Sequence, residues 1–251
     1  MKLIFDIETN GLLDELTKIH CLVMKDVDTE KVYSFRPNEV EEGLKLLSEA
    51  KEIIGHNVIK FDLPAIQKIY PEWKTKAKVT DTIVCSRLIW SNIKEQDFQN
   101  YNRYGFDPKM IGSHALKAWG LRLNLHKGKF GETSDWKEWS EDMQKYCEQD
   151  VEVNYLFHRV ITQKKYSETA LQLEHDFAKV INLQEQQGFC FDTEAAQNLL
   201  TTLVKSRLGL EEELQLAFPA WTKDLGEFIP ARDNKTKGYI KGVAINKYEN
   251  F

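Results

Sequence analysis

Long apolar runs, paired cysteines, internal repeats and a basic excess are all missing from this sequence of 251 residues. Each absence excludes something. No stretch approaches the ~18 consecutive apolar residues that read as a membrane-spanning helix, and the opening Met1-Lys2-Leu3-Ile4-Phe5-Asp6 meets a carboxylate too early for a secretory signal. The expectation is a soluble, cytoplasmic protein with no membrane partner. The four cysteines, at positions 21, 85, 147 and 190, are widely separated, with no Cys-x-x-Cys pair and no nearby histidine pair at zinc spacing. They read as reduced packing residues. Lysine and arginine number 34 against 39 aspartates and glutamates, a net charge of −5, which argues against a sequence-independent coat on DNA. An enzyme that grips a few phosphates through cations stays open, because it must itself supply acidic ligands.

What is present is an ordinary globular composition, 42% hydrophobic and 29% charged, long enough at ~150 residues per domain for one large domain or one plus part of a second. Leu3 to Glu8, Ile19 to Met24 and Val32 to Phe35 predict three strands in an antiparallel meander. Strand and helix then alternate. Asn38 with Glu41 makes a capping-box signature for a helix of ~12 residues, Glu52 to Gly55 reads as a strand, and Pro64 sits in the first turn of a helix stopped at Pro71. Lys78 to Thr80 is a further strand, and Asp81 or Thr82 caps the next helix. Ser91 to Lys109 and Gly128 to Glu138 read as loops on either side of a short Ser-capped helix from Ser113 to Gly120. Long helices follow from Ser140 to Gln163, Glu168 to Gln187 and Asp192 or Thr193 to Phe218, with a short strand at Phe189 to Phe191. The last stretch, from Ala220, has no period and carries six basic against four acidic residues. It reads as a solvated, irregular, basic tail, more like a severed connection than a finished terminus.

Three places carry chemistry. Asp6 and Glu8 stand at i and i+2 of an apolar strand, so both face the same way. Two neighbouring carboxylates repel unless a cation lies between them, and hard oxygen donors suit Mg²⁺ or Mn²⁺. Asp62 follows a strand and loop just before a helix, where it is either an N-cap or a ligand. Tyr146 and Asp150, four apart in the long helix, share a face beside its apolar stripe, and an aspartate there is costly to bury without a partner. Together they supply four carboxylates from two strand ends and a helix, the requirement of a two-metal phosphoryl-transfer site.

The order Asp-x-Glu-Thr-x-Gly-Leu (Asp6 to Leu12), His-Asn-x3-Phe-Asp (His56 to Asp62) and Tyr-x3-Asp (Tyr146 to Asp150) resembles the three exonuclease motifs of the DEDD superfamily. Lys145 stands where the histidine subclass would carry its histidine, so the match is to the tyrosine subclass. The segments Asp81 to Ile89, Gly112 to Gly120 and Gly188 to Thr193 are similar to those of the family A DNA polymerases of T-odd bacteriophages, in their proofreading portion. The resemblance implies a ribonuclease-H-like fold at residues 1–165, a helical extension at 166–218 resembling the start of a polymerase thumb, and the tail at 219–251. It implies 3′→5′ hydrolysis at single-stranded DNA ends with two divalent cations. Asp6, Glu8 and Asp150 would hold one ion, with Asp6 bridging to the second and Asp62 acting on that ion through water, while Tyr146 orients the attacking water. The Thr9 backbone and Asn57 would hold the terminal nucleotide, Leu12 would wedge between the last bases, and Phe61 would pack nearby; apart from the resemblance, His56 is a loop residue that could touch substrate. Plain core packing is the alternative for Leu12 and Phe61.

No palm or fingers follow, so polymerase activity in this chain is in doubt and a separately encoded polymerase chain is a candidate partner. A free-standing RNA-trimming 3′ exonuclease and an inactive nucleic-acid-binding module are the other readings. Trp90, Trp119, Trp136 and Trp139 could stack bases, but packing is preferred for each. His20 reads as a satisfied strand histidine.

Overall fold

The computed structural model describes residues 1–100, 107–125, 136–219, 222–234 and 236–250. Two compact units divide the chain, Met1–Gly188 and Phe189–Phe251. The first is built on a five-stranded sheet of β1 (Lys2–Thr9), β2 (Ile19–Asp26), β3 (Val32–Phe35), β4 (Glu52–Gly55) and β5 (Lys78–Asp81), in the spatial order β3-β2-β1-β4-β5. The expected meander is there: β1 pairs antiparallel with β2, and β2 with β3. β4 then joins β1 in parallel, and β5 joins β4 in parallel. The α/β expectation of a mixed sheet flanked by helices therefore holds.

Strand alternation sorts β1 between two cores. Leu3, Phe5 and Ile7 enter a cluster shared with Val40, Leu44 and Leu47 of α1 (Val40–Ser48) and with Ala65 and Ile66 of α2 (Asp62–Ile69). Ile4 enters the opposite cluster with Cys21, Val23 and Ile54, covered by Cys147, Val151 and Tyr155 of α6 (Glu141–Gln163). Asp6 and Glu8 have the parity of Ile4, so they face α6. A third cluster joins Cys85 of α3 (Thr82–Ile89), Trp90, Ile93 of α4 (Ile93–Gln99), Trp119 of α5 (Leu116–Arg122), and Phe157 and Ile161 of α6. Here Trp119 stacks on Phe157 at 4.0 Å and meets Trp90 edge-on, which makes Trp90 and Trp119 packing residues as expected.

Several local expectations need correction. Ser91 to Lys109 is not all loop: it holds α4 and a 3₁₀ turn at Pro108–Met110. α4 is fixed from a distance, because Asp97 accepts hydrogen bonds from Arg122 and from the Gly112 N–H. α1 spans nine residues, begins after Glu39 rather than Asn38, and makes no side-chain cap. Glu39 instead accepts from the Arg36 N–H at 3.0 Å. α5 starts after Ala115, without the Ser113 cap, and carries Gly120 inside it. Of the expected loop Gly128 to Glu138, all but the last three residues lie outside the described residues.

Other boundaries fall where local chemistry puts them. Asp81 caps α3 through the Ile83 N–H, and Ser140 caps α6 through the Met143 N–H. α7 (Glu168–Gln187) is capped by Ser167 and ends at Gly188, whose φ of 65° suits glycine. In the second unit, α8 (Thr193–Ala217) is capped by Asp192, and Phe189 to Phe191 forms no strand. The tail is not irregular throughout: β6 (Thr222–Phe228) and β7 (Ile245–Asn250) form an antiparallel hairpin, in which Lys247 lies over the Phe228 ring.

Candidate active site

The parallel strands β1 and β4 end side by side, and ligand sites in α/β sheets form outside such carboxyl ends. Gly55, the last residue of β4, allows a close approach there: a Cβ on it would lie 2.0 Å from Val58 Cγ1 and 3.2 Å from the Phe5 carbonyl. The chain then turns through Asn57 at φ 70°, a conformation that asparagine tolerates better than most residues. Asp81 holds this turn by accepting from the Asn57 and Ile59 N–H groups at 2.8 and 3.1 Å. The result places Asp62 in the first turn of α2, only 3% exposed. Asp62 does not cap α2, since the cap position belongs to Phe61.

Glu8 and Asp150 are buried, and Asp6 is half-buried. Burial pushes the Glu8 carboxyl well above the usual range, and the neighbouring charges of Asp6, Cys21, Asp150 and Asp62 push it further. Asp6, Asp62 and Asp150 thus all lie within electrostatic reach of Glu8. Asp62 is raised to about 7, first by burial and then by Asp81, against hydrogen bonds from backbone N–H groups. The Tyr146 hydroxyl is also pushed upward, by burial, by the charges of Asp150, Glu8 and Asp6, and by a hydrogen bond with the Asp150 side chain. Tyr146 thus stands over the same cluster, one turn of α6 before Asp150.

Cys147 was not foreseen at the site. Its Sγ lies 3.4 Å from the Asp6 carbonyl and 3.6 Å from Asp6 Oδ2, and its sulfur groups with donor oxygens of Asp6 and Glu8 within 4.8 Å. Burial holds this thiol far above its ordinary pKa, so it donates to Asp6 as a neutral S–H. The remaining donors are hard carboxylate oxygens, which fit Mg²⁺ or Mn²⁺ better than a soft, thiolate-seeking ion. Carboxylates gathered around a buried Glu8 suit a cationic partner.

The other expected residues divide. Thr9, Leu12 and Phe61 line a cavity of about 280 Å³ together with Glu8, Gly11 and Trp136. Leu12 is 76% exposed, so it is not a core residue, whereas Phe61 packs partly on the main core. His56 and Asn57 lie on the neighbouring turn, with His56 Nδ1 bonded to Thr82 Oγ1 at 2.9 Å. His20 is fully buried and bonds through Nε2 to the Trp136 carbonyl. Among the described residues its Nδ1 has no hydrogen-bond partner. The Arg36 guanidinium lies over the Trp139 ring.

Residues 3–162 match the RNase_H superfamily. The chain belongs to that superfamily. It is 31% identical over 268 aligned positions to the DNA-directed DNA polymerase of Escherichia phage T7, covering 89% of this chain and 38% of that protein. It is 32% identical, with the same coverage, to the DNA-directed DNA polymerase of Enterobacteria phage T3. The chain thus spans about two-fifths of the length of these relatives. A solved structure described as the apo form of a nuclease shares the fold, with a TM-score of 0.51, 20% identity and coverage of 76% of this chain and 89% of that one. The architecture is the RNase H-like exonuclease fold. The divalent-metal dependence usual for that family agrees with the donor set found here.

Proposed function

We propose that the chain is a metal-dependent 3′→5′ exonuclease that removes nucleotides from single-stranded or frayed DNA ends, as the proofreading part of a phage-type polymerase. One observation carries this reading: Asp6, Glu8, Asp62 and Asp150 act on one another electrostatically, directly or through Glu8, with the Tyr146 hydroxyl bonded among them. Two divalent cations held there would activate water and stabilise the leaving oxygen. Asp6, Glu8 and Asp150 would hold one ion, and Asp6 with Asp62 the other.

The protein's own contribution is position. Tyr146, held by Asp150, orients the attacking water without giving up its proton, because its surroundings oppose ionisation. Thr9, Leu12, His56, Asn57 and Phe61 hold the terminal nucleotide so that its phosphodiester lies at Glu8. We assign residues 1–165 to the exonuclease domain and 166–218 to an extension leading toward a polymerase part, carried in the same or a separate chain. Its likeness to phage polymerases supports the host cytoplasm as its place of action.

The test is release of mononucleotides from matched 5′-labelled DNA and RNA oligonucleotides in Mg²⁺, with an Asp6→Ala, Glu8→Ala double variant as control. DNA should be shortened stepwise and the double variant should be silent. Equal activity in that variant would end the assignment of the site, and a strong preference for RNA would overturn the substrate.

A further inference from the structure

Trp136 belongs to neither the carboxylate cluster nor the packing core, yet three separate features hold it beside the site. It lines a cavity together with Glu8, Thr9, Gly11, Leu12 and Phe61. At about 280 Å³ the cavity falls just below the ~300–1,000 Å³ of sites for drug-sized ligands, a size suited to a single nucleoside. Its ring also meets the Tyr146 ring edge-to-face, with centroids 6.1 Å apart at 78°. Its carbonyl accepts from His20 on β2 at 2.9 Å. A carbonyl can only accept, so His20 carries its hydrogen on Nε2. A rigid strand therefore anchors the backbone of Trp136.

Resting on the exonuclease reading above, we propose that Trp136 is the platform on which the 3′-terminal base stacks, and that through its ring contact it positions Tyr146 once the base is in place. An indole presents a π-face to any base, so the platform grips the end without reading its sequence. Leu12, largely exposed, and Phe61 supply the other apolar walls. The occupied platform then braces the Tyr146 ring, whose hydroxyl is bonded to Asp150. An end that lacks its base would lose both grip and bracing.

The experiment compares two oligonucleotides, one ending in an ordinary 3′ nucleotide and one ending in a tetrahydrofuran abasic residue, using the full chain in Mg²⁺. Wild type should prefer the base-bearing end in kcat/KM by ~5- to 150-fold, the worth of one base–aromatic stack. Trp136→Leu, which keeps apolar bulk but no π-face, should cut that preference to within about twofold, lowering kcat and raising KM only on the base-bearing end. Trp136→Phe should keep most of it. Binding is read separately in Ca²⁺ with an oligonucleotide carrying 2-aminopurine at its 3′ end: stacking quenches the fluorescence in wild type and Trp136→Phe but not in Trp136→Leu. An unchanged preference and quench in Trp136→Leu would overturn the proposal. Wild type that shortens neither substrate sinks the exonuclease reading instead, and the quench still decides the role of Trp136.

Discussion

Replacing Asp62 by asparagine should make the metal-free protein more stable while removing its activity. Asp62 is almost wholly buried and its carboxyl is raised from 3.8 to about 7. Three units at ~1.4 kcal/mol each set a ceiling of about 4 kcal/mol on the cost of ionising it in the fold. Solvent and side-chain relaxation reduce the working figure to ~2 kcal/mol. For a domain of this size ~1 kcal/mol moves Tm by ~2–4 °C, so in EDTA at pH 8 the variant should melt ~4–8 °C above wild type.

The pH dependence carries the sign. A carboxyl whose pKa is higher folded than unfolded binds its proton more tightly in the fold, so metal-free wild type loses stability as pH rises from about 4 through 7. Below about 4 the penalty vanishes, and the advantage of Asp62→Asn should vanish with it. Adding Mg²⁺ at pH 8 should stabilise wild type, since a ligand bound only by the fold raises Tm by mass action. The variant should gain less. Melting curves followed by circular dichroism, in EDTA and in Mg²⁺ at pH 4.5, 6 and 8, would settle each arm. A variant less stable than wild type in EDTA at pH 8 would refute the picture of a repulsive cluster awaiting cations.

Two further substitutions separate support from function. Asp97→Ala removes one side of an ion pair whose side chains are 1% and 6% exposed, leaving the Arg122 charge without that carboxylate. The expected loss is about 3–5 kcal/mol, read as a lower midpoint in urea unfolding, and a loss below 1 kcal/mol would show that α4 does not depend on the pair. Leu12→Ala trims a side chain that is 76% exposed, so unfolding should change by less than ~0.5 kcal/mol. KM for a single-stranded end should nevertheless rise several-fold, and an unchanged KM would remove Leu12 from the substrate path.

The parts of this fold that were legible in the sequence are those decided by neighbours in the chain. Alternation in Leu3 to Glu8 put Asp6 and Glu8 on one face, and in three dimensions that is the face opposite Leu3, Phe5 and Ile7. Ser140, Ser167 and Asp192 each capped the helix that followed them. The oddity of Asp150 beside an apolar stripe was readable for the same reason, because a helical period exposes a residue that breaks it. α4 was not legible, since a buried aspartate paired with Arg122 across 25 positions looks, in the sequence, like a polar loop. The β6–β7 hairpin was hidden for a related reason: its strands carry a register shift between Asp224 and Glu227, which breaks the alternation that marks a strand.

Cys147 and Trp136 lie beside the carboxylates for reasons that spacing in the sequence does not show. Each has a residue type with a good default explanation, a small buried hydrophobe in one case and a packing aromatic in the other. What moves them into the site is partnership at long range: Asp6 for the thiol, 141 positions away, and His20 for the Trp136 carbonyl, 116 positions away. Charge is different. Burying several carboxylates together costs too much to arise from packing alone, so Asp6, Glu8, Asp62 and Asp150 raise the expectation of a shared cation before any distance is known. Neutral groups carry no such penalty, and nothing in their own neighbourhood of the chain separates a Trp136 that lines the cavity beside Glu8 from a Trp119 stacked on Phe157. The carboxylate end of such a site can therefore be read from composition and spacing, whereas the neutral residues beside it emerge only once the strands are paired.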